Sequence, residues 1–382
     1  MISFFSCGKL LAVLMIFAVV CGTSICLLAQ SPSSEELPPH HQLIQKAAAK
    51  LVEIQEADGA WPYEGVYRVS RQIPVGYRIG GTAIVCHALL DSKLDDRTAA
   101  DAAIQRGVDL ILKELDHPLM VASQEDTYDV RVWGHIYALD LFCRLKDSKL
   151  VAVPAESISG WIEKLISTLK DEELEGGGWN YASRGRHACF VTAPALQALL
   201  LAKSIGQNVP NELLERGARV LLASRSENGA FHYSGTSESN RREAQVPGAI
   251  ARNAICEATL WQLGQGDPNR LQAAIEDFHA FWDELEKRRK KTGTHEPPYN
   301  VAPYYFYYGH RYLAQSIELL PAEKQVAAYE KLETVLLKTM DEDHTWNDRV
   351  FDRSRAFGTA MSLLALNRQR SPLPKAVDTK TK

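Results

Sequence analysis

Several absences bound what this chain can be. Neither charge is in excess across its 382 residues, with Lys+Arg at 43, Asp+Glu at 47 and a formal net charge of −4. A nucleic-acid binder needs a basic surface, so that partner class is excluded. Cysteine is sparse, and none of the seven is spaced Cys-x-x-Cys, which removes the usual zinc and redox frameworks. Cys86, Cys143, Cys189 and Cys256 lie in apolar helical stretches and read as buried core thiols. No serine or cysteine has a recognisable nucleophile setting, and no pattern points to a cofactor. The long apolar run, residues 10–20 (LLAVLMIFAVV), is too short to span a bilayer comfortably.

That run follows Lys9 and leads into Leu28-Ala29-Gln30. The pattern predicts a signal peptide over residues 1–29, cleaved after Ala29, and hence export to the periplasm or the medium, with no stable membrane span afterwards. Residues 30–40 read as a flexible, Pro-rich lead-in, 41–370 as one domain, and 371–382 as a disordered polar tail. With 46% hydrophobic and 24% charged residues, the chain has the balance of a soluble protein with a sizeable core.

The domain is repetitive. Six apolar, small-residue-rich segments align on Thr82, Gly134, Thr192, Asn253, Gly309 and Thr359, spaced by 52, 58, 61, 56 and 50 residues. Each is preceded by an amphipathic segment, at 41–56, 98–115, 156–170, 211–225, 269–289 and 321–340. In the second of these, Ala103, Ile104, Val108, Ile111, Leu112 and Leu115 recur at helical spacing. Strict alternation predicts twelve helices in six hairpins. Segments apolar all round must be shielded on most sides, which predicts an all-α, (α/α)6 toroid with an inner apolar and an outer amphipathic ring. An open solenoid would need polar caps, and none is evident. Links leading into the inner helices are long, and four carry a signature around Trp61, Trp179, Phe231 and Trp346.

Gln55 followed by Asp58-Gly59-Ala60-Trp61 resembles the Q-x-x-D-G-x-W motif of squalene and oxidosqualene cyclases. The run Phe357-Gly358-Thr359-Ala360-Met361 is similar to their repeat helices and to those of protein prenyltransferase β subunits. The resemblance implies the α/α toroid of that superfamily, and a packing role for Trp61, Trp179 and Trp346. It does not extend to chemistry. The acidic D-x-D-D of the cyclases is absent, and Asp129, His187 and Cys189 do not fall in the order of the prenyltransferase zinc ligands.

In a toroid the inner helices run parallel, so their N-termini meet at the face bearing the long loops. Such ends attract anions. Arg78, Arg131, Arg252 and Arg355 fall at or near those ends, along with Arg184, Arg186 and Arg353. They mark either local pairing with acids or a ligand bearing carboxylate, sulfate or phosphate. His187, Tyr304, Tyr305 and Tyr308 complete the candidate binding set. His135 and His310, at matching repeat positions, and Asp129 are the candidate acid–base groups.

Four functions fit. The first is binding of an anionic small molecule or oligosaccharide at this mouth. The second is a lyase or hydrolase on acidic polysaccharide, which requires a charge-neutralising Arg and a base there. The third is an isoprenoid cyclase or transferase, which requires a deep apolar cavity. The fourth is an interaction scaffold, which requires an exposed aromatic patch.

Overall fold

The computed structural model describes residues 40–64, 73–121, 130–146, 148–183 and 185–367. The signal segment, the tail and Asp129 lie outside the described residues. Helices dominate. The outer set is α1 (His41–Glu53), α3 (Thr98–Glu114), α5 (Ala155–Asp171), α7 (Asn211–Ala223), α9 (Pro268–Ala280) and α12 (Ala322–Lys338). The inner set is α2 (Val75–Asp91), α4 (Arg131–Leu145), α6 (Cys189–Ser204), α8 (Val246–Gln262), α11 (Phe306–Ile317) and α13 (Ser354–Leu366). Each inner helix packs on the next around the ring, and α13 packs on α2, so the ring closes. All twelve expected helices are present.

One outer helix departs from expectation. The fifth breaks at Phe281, and a short helix, α10 (Trp282–Glu286), follows it. The cause is tertiary. Trp282 is buried, and its indole N–H donates to His310 Nε2 at 2.9 Å, which pulls the chain off the outer axis.

Four hairpins are joined by one repeated device. The backbone N–H of Trp61, Trp179, Phe231 and Trp346 donates to the side-chain oxygen of Thr82, Thr192, Asn253 and Thr359, at 2.9, 3.0, 3.1 and 3.0 Å. These four acceptors are the residues on which the repeats align. The three indole N–H groups then donate to the closing carbonyls of the preceding outer helices, those of Leu51, Leu169 and Leu336. Each of the three Trp signatures thus fastens an outer helix to its inner partner. A second tie crosses between repeats. Gln55 bonds the Ala103 carbonyl and the Arg106 guanidinium of α3, and Glu173 takes Arg216 of α7 bidentately. Gly59 and Gly177 follow these residues at positive φ (94° and 113°), and each lies against the carbonyl of that same Arg.

Hairpins two and five lack the signature, and the aligned positions there are Gly134 and Gly309. A Cβ on Gly134 would lie 3.0 Å from the Gly76 backbone, and one on Gly309 would lie 3.0 Å from Ala251. Neighbouring inner helices therefore approach closely where the loop tie is missing.

The axis is filled. Tyr137 and Tyr312, at the same depth on facing helices α4 and α11, share a hydrogen bond of 3.1 Å between their hydroxyls. Tyr308 donates across to the Phe190 carbonyl at 2.9 Å, and Tyr63 stacks on Phe357 with ring centroids 3.9 Å apart. The cavity beside Tyr137 and Tyr312 measures only 20 Å³, about one water. Near it, His87 bridges Asp91 and Asp140, and Arg144 takes Asp140.

Candidate functional site

On the face of the inner-helix N-termini, a cleft of about 430 Å³ opens between the fourth and fifth hairpins. That volume is within the range of small-molecule sites. Its floor is His232, Gly248 and Arg252. Tyr233, His295, Tyr299, Asn240 and Asn300 form the walls, with Arg242 and Glu243 at the rim. The signature loop of the fourth hairpin and the stretch that follows it before α8 bring His232, Tyr233, Asn240, Arg242 and Glu243. The loop after α10 brings His295, Tyr299 and Asn300, and it is held from two sides. The guanidinium of Arg349, in the loop before α13, donates to the carbonyls of Lys291 and Gly293. Gly248, in the first turn of α8, faces the Tyr299 carbonyl so closely that a Cβ would sit 2.2 Å from it.

Arg252 sets the electrostatics. It is 6% exposed, and its guanidinium donates to carbonyls: Phe231 through Nε and Nη2 (3.0 and 2.8 Å) and Gly248 through Nη1 (2.7 Å). The buried Cys189 thiol lies within hydrogen-bond reach of it as well. No carboxylate among the described residues pairs with it. A buried cation held by carbonyl dipoles at the opening of α8 is an electrostatic site for an anion.

Four of the other predicted arginines, Arg78, Arg131, Arg353 and Arg355, are already neutralised, Arg353 by Glu56, while Arg186 bonds the Ser239 carbonyl and Arg184 lies outside the described residues. Arg78 takes Glu114 bidentately and Asp58, Arg131 lies 3.4 Å from Glu172, and Arg355 pairs with Asp343 and Asp352. Asp58, Glu114 and Glu172 come from a loop or helix ends far away in sequence, whereas Asp352 is the local partner of Arg355. His187 donates or accepts at Ser224 Oγ (2.8 Å) behind the cleft. Tyr305 packs under Arg252, with the guanidinium 5.8 Å from the ring centroid, and Tyr308 points into the axis. Arg252 thus lines the cleft with Tyr305 beneath it, and the Tyr304 hydroxyl meets the cleft-lining His295 at 2.8 Å, whereas Arg78, Arg131 and Arg355 stand at other hairpins.

The two predicted histidines are built into the core. His135 gives its Nδ1 hydrogen to Glu172 Oε2 at 2.9 Å. His310 is fully buried; Nδ1–H donates to the Phe306 carbonyl at 2.7 Å, and Nε2 accepts from Trp282. Burial, above all, holds His310 down to about 3 from an ordinary 6.5. Asp348 is its counterpart: burial raises its carboxyl from 3.8 to about 7, against the opposing charge of Arg349.

These shifts act on stability in opposite senses. Between about 3 and 6.5 the unfolded chain binds a proton that folded His310 refuses, so stability falls as pH drops below 6.5. Between 3.8 and about 7 folded Asp348 keeps a proton that the unfolded chain releases, so stability falls as pH rises through that window. Each contributes a slope of about 1.4 kcal/mol per pH unit. In urea titrations across pH, Asp348→Asn is expected to abolish the loss approaching pH 7, and His310→Gln to flatten the loss in acid. Unchanged pH dependence in both variants contradicts these assignments.

The sequence reading missed His295, Tyr233, Tyr299 and Asn300. Tyr233 lies in a signature loop and the other three in a loop without periodicity, and only ring closure assembles them.

No protein-family profile and no curated sequence matches the chain at a significant level. Solved structures do. The chain is similar to an inactive variant of an alpha-1,6-mannanase of Salegentibacter in complex with alpha-1,6-mannotriose, at 12% identity over 86% of this chain and 99% of that one, TM-score 0.55. It is also similar to a reducing end xylose-releasing exo-oligoxylanase, at 12% identity over 87% and 94%, TM-score 0.51. A third is a type II terpene cyclase variant from Scytonema, at 14% identity over 85% and 95%, TM-score 0.50. At these identities the likeness shows the fold: the α/α toroid that the cyclase and prenyltransferase repeats implied.

Proposed function

We propose that this is an exported toroid that binds an anionic oligosaccharide in the cleft between the fourth and fifth hairpins. The observation that carries this reading is Arg252, a buried cation that lines the cleft and pairs with no carboxylate among the described residues. Its charge complements a carboxylate or sulfate. Tyr233 and Tyr299 supply flat apolar faces, and Asn240 and Asn300 supply hydrogen-bonding groups, the combination a sugar ring requires. The signal segment read from the sequence supports an encounter with polysaccharide outside the cytoplasm. Among the described residues no helix is long and apolar enough to cross a membrane.

An isoprenoid reaction is less well supported. It needs a deep apolar chamber, whereas the described axis is crossed by hydrogen-bonded tyrosines.

The test is thermal shift with uronate oligosaccharides, sulfated oligosaccharides and neutral oligosaccharides of matched length. A ligand at about a hundred times its dissociation constant adds about 2.7 kcal/mol of stability, a shift of several degrees. Acidic sugars are expected to raise the melting temperature, with the effect lost in Tyr299→Ala and reduced by salt. A response to neutral sugars alone, or to none, overturns the proposal.

A further inference from the structure

We infer that the same cleft is catalytic, and that Tyr304, with His295 as its proton acceptor, drives β-elimination on a uronate-containing polysaccharide. This rests on the binding reading above.

The geometry is that of an activated acid–base group. Tyr304 Oη lies 2.8 Å from His295 Nε2, and His295 Nδ1 lies 2.8 Å from the Asn300 carbonyl oxygen. A carbonyl only accepts, so Nδ1 carries the hydrogen and the Nε2 lone pair faces the phenol. The acid–base group is in reach of a base, and the base is oriented by a third group. A lone β-bridge between Glu296 and Val301 folds the loop back and fixes that orientation. The ring of Tyr233 packs edge-on against His295 with centroids 4.7 Å apart. Burial and the nearby Arg252 charge keep the imidazole below its ordinary value, the burial effect being larger, although its bond to Asn300 opposes them. It is therefore neutral and able to accept a proton at pH 7.

The choice of reaction follows from what lines the cleft. Glycoside hydrolysis ordinarily uses two carboxylates about 5–9.5 Å apart across the scissile bond. Among the cleft-lining residues the single carboxylate is Glu243, exposed at the rim. Elimination needs something else: a cation to neutralise the uronate carboxylate, which makes the adjacent C–H acidic, and one group to move the proton. Arg252 in the cleft lining and Tyr304, whose hydroxyl meets the cleft wall at His295, are the groups that answer those needs.

The step balances without a co-reactant. His295 Nε2 takes the phenolic proton. The Tyr304 oxygen removes the proton from the carbon bearing the carboxylate. A carbon–carbon double bond forms as the C–O bond to the leaving sugar breaks, and that electron pair stays on the oxygen. Tyr304 then passes the abstracted proton to the leaving oxygen, and His295 returns the phenolic proton. One glycosidic bond gives a new hydroxyl and an unsaturated uronate.

The experiment incubates the full chain with polygalacturonate, alginate, chondroitin and heparan sulfate, and follows the ultraviolet absorbance of the unsaturated carboxylate. Wild type is expected to generate it on at least one of them. Tyr304→Phe is expected to lower the rate by about 10²–10⁴-fold while the thermal shift with uronate oligosaccharide persists. His295→Gln is expected to lose rate likewise and to remove the rise of rate on deprotonation seen in the wild-type pH profile. Uronates that stabilise the protein without any unsaturated product overturn this inference and leave the binding proposal standing. A Tyr304→Phe chain of wild-type rate also overturns it. Absence of any thermal shift with uronates refutes the binding proposal itself.

Discussion

Trp179→Ala is expected to cost the protein about 3–5 kcal/mol. The indole is fully buried, and it is fastened on both sides. Its Nε1–H donates to the Leu169 carbonyl at 2.7 Å, one of the last carbonyls of α5, which has no partner within the helix. Its backbone N–H donates to Thr192 Oγ1, and its carbonyl receives the Thr192 hydroxyl and the Ala188 N–H, at 3.1 and 2.8 Å. Truncation opens a cavity where outer helix, inner helix and loop meet, and it strands that helix-end carbonyl away from water. Thr192→Val keeps the shape and removes only the hydroxyl, so it should cost less, about 1–3 kcal/mol. Urea unfolding of both variants measures the difference. If Trp179→Ala unfolds within 1 kcal/mol of wild type, the signature does not fasten the hairpin as described.

A loss of similar size, about 3–5 kcal/mol, is expected for Glu172→Ala. The carboxylate is wholly buried at the end of α5, 2.9 Å from His135 Nδ1 and 3.4 Å from Arg131 Nε, both on α4. Removing it leaves the Arg131 guanidinium buried beside a cavity, and breaking one side of such a pair is far more damaging than never having built it. Glu172→Gln preserves the volume and one acceptor, and it should fall between wild type and Glu172→Ala in chemical denaturation. If Glu172→Ala is no less stable than Glu172→Gln, the pairing with Arg131 and His135 contributes nothing.

Glu172 also explains why the sequence could be read so far and no further. Arg131 and His135 stand out in the chain because a charge and an imidazole on an apolar helix ask for a partner. That partner lies 37 residues beyond His135, on the next hairpin, and nothing local points to it. The helices themselves were legible, since each buries a face whose spacing is written in consecutive turns. The alignment of Thr82, Thr192, Asn253 and Thr359 was legible too, because one hydrogen bond requires a side-chain oxygen at one position. The break at Phe281 was not, since it depends on Trp282 reaching His310 on another helix. The cleft falls between these cases. Arg252 was marked by its place at the start of α8, but His295 and Asn300 acquire meaning only where their loop meets Tyr304.

The packing of α13 on α2 and of α1 on both α3 and α13 has a mechanical consequence. An open array of repeats can fray, shedding its last unit at the cost of one interface. In a ring every hairpin has two neighbours, so melting any one of them exposes two interfaces. Partial unfolding is penalised twice, and the stabilities of the six hairpins are tied together. The cleft inherits this rigidity. Its walls come from consecutive hairpins and its brace, Arg349, from the sixth, so the spacing between Arg252 and His295 is fixed by the whole circumference rather than by the loop that carries His295.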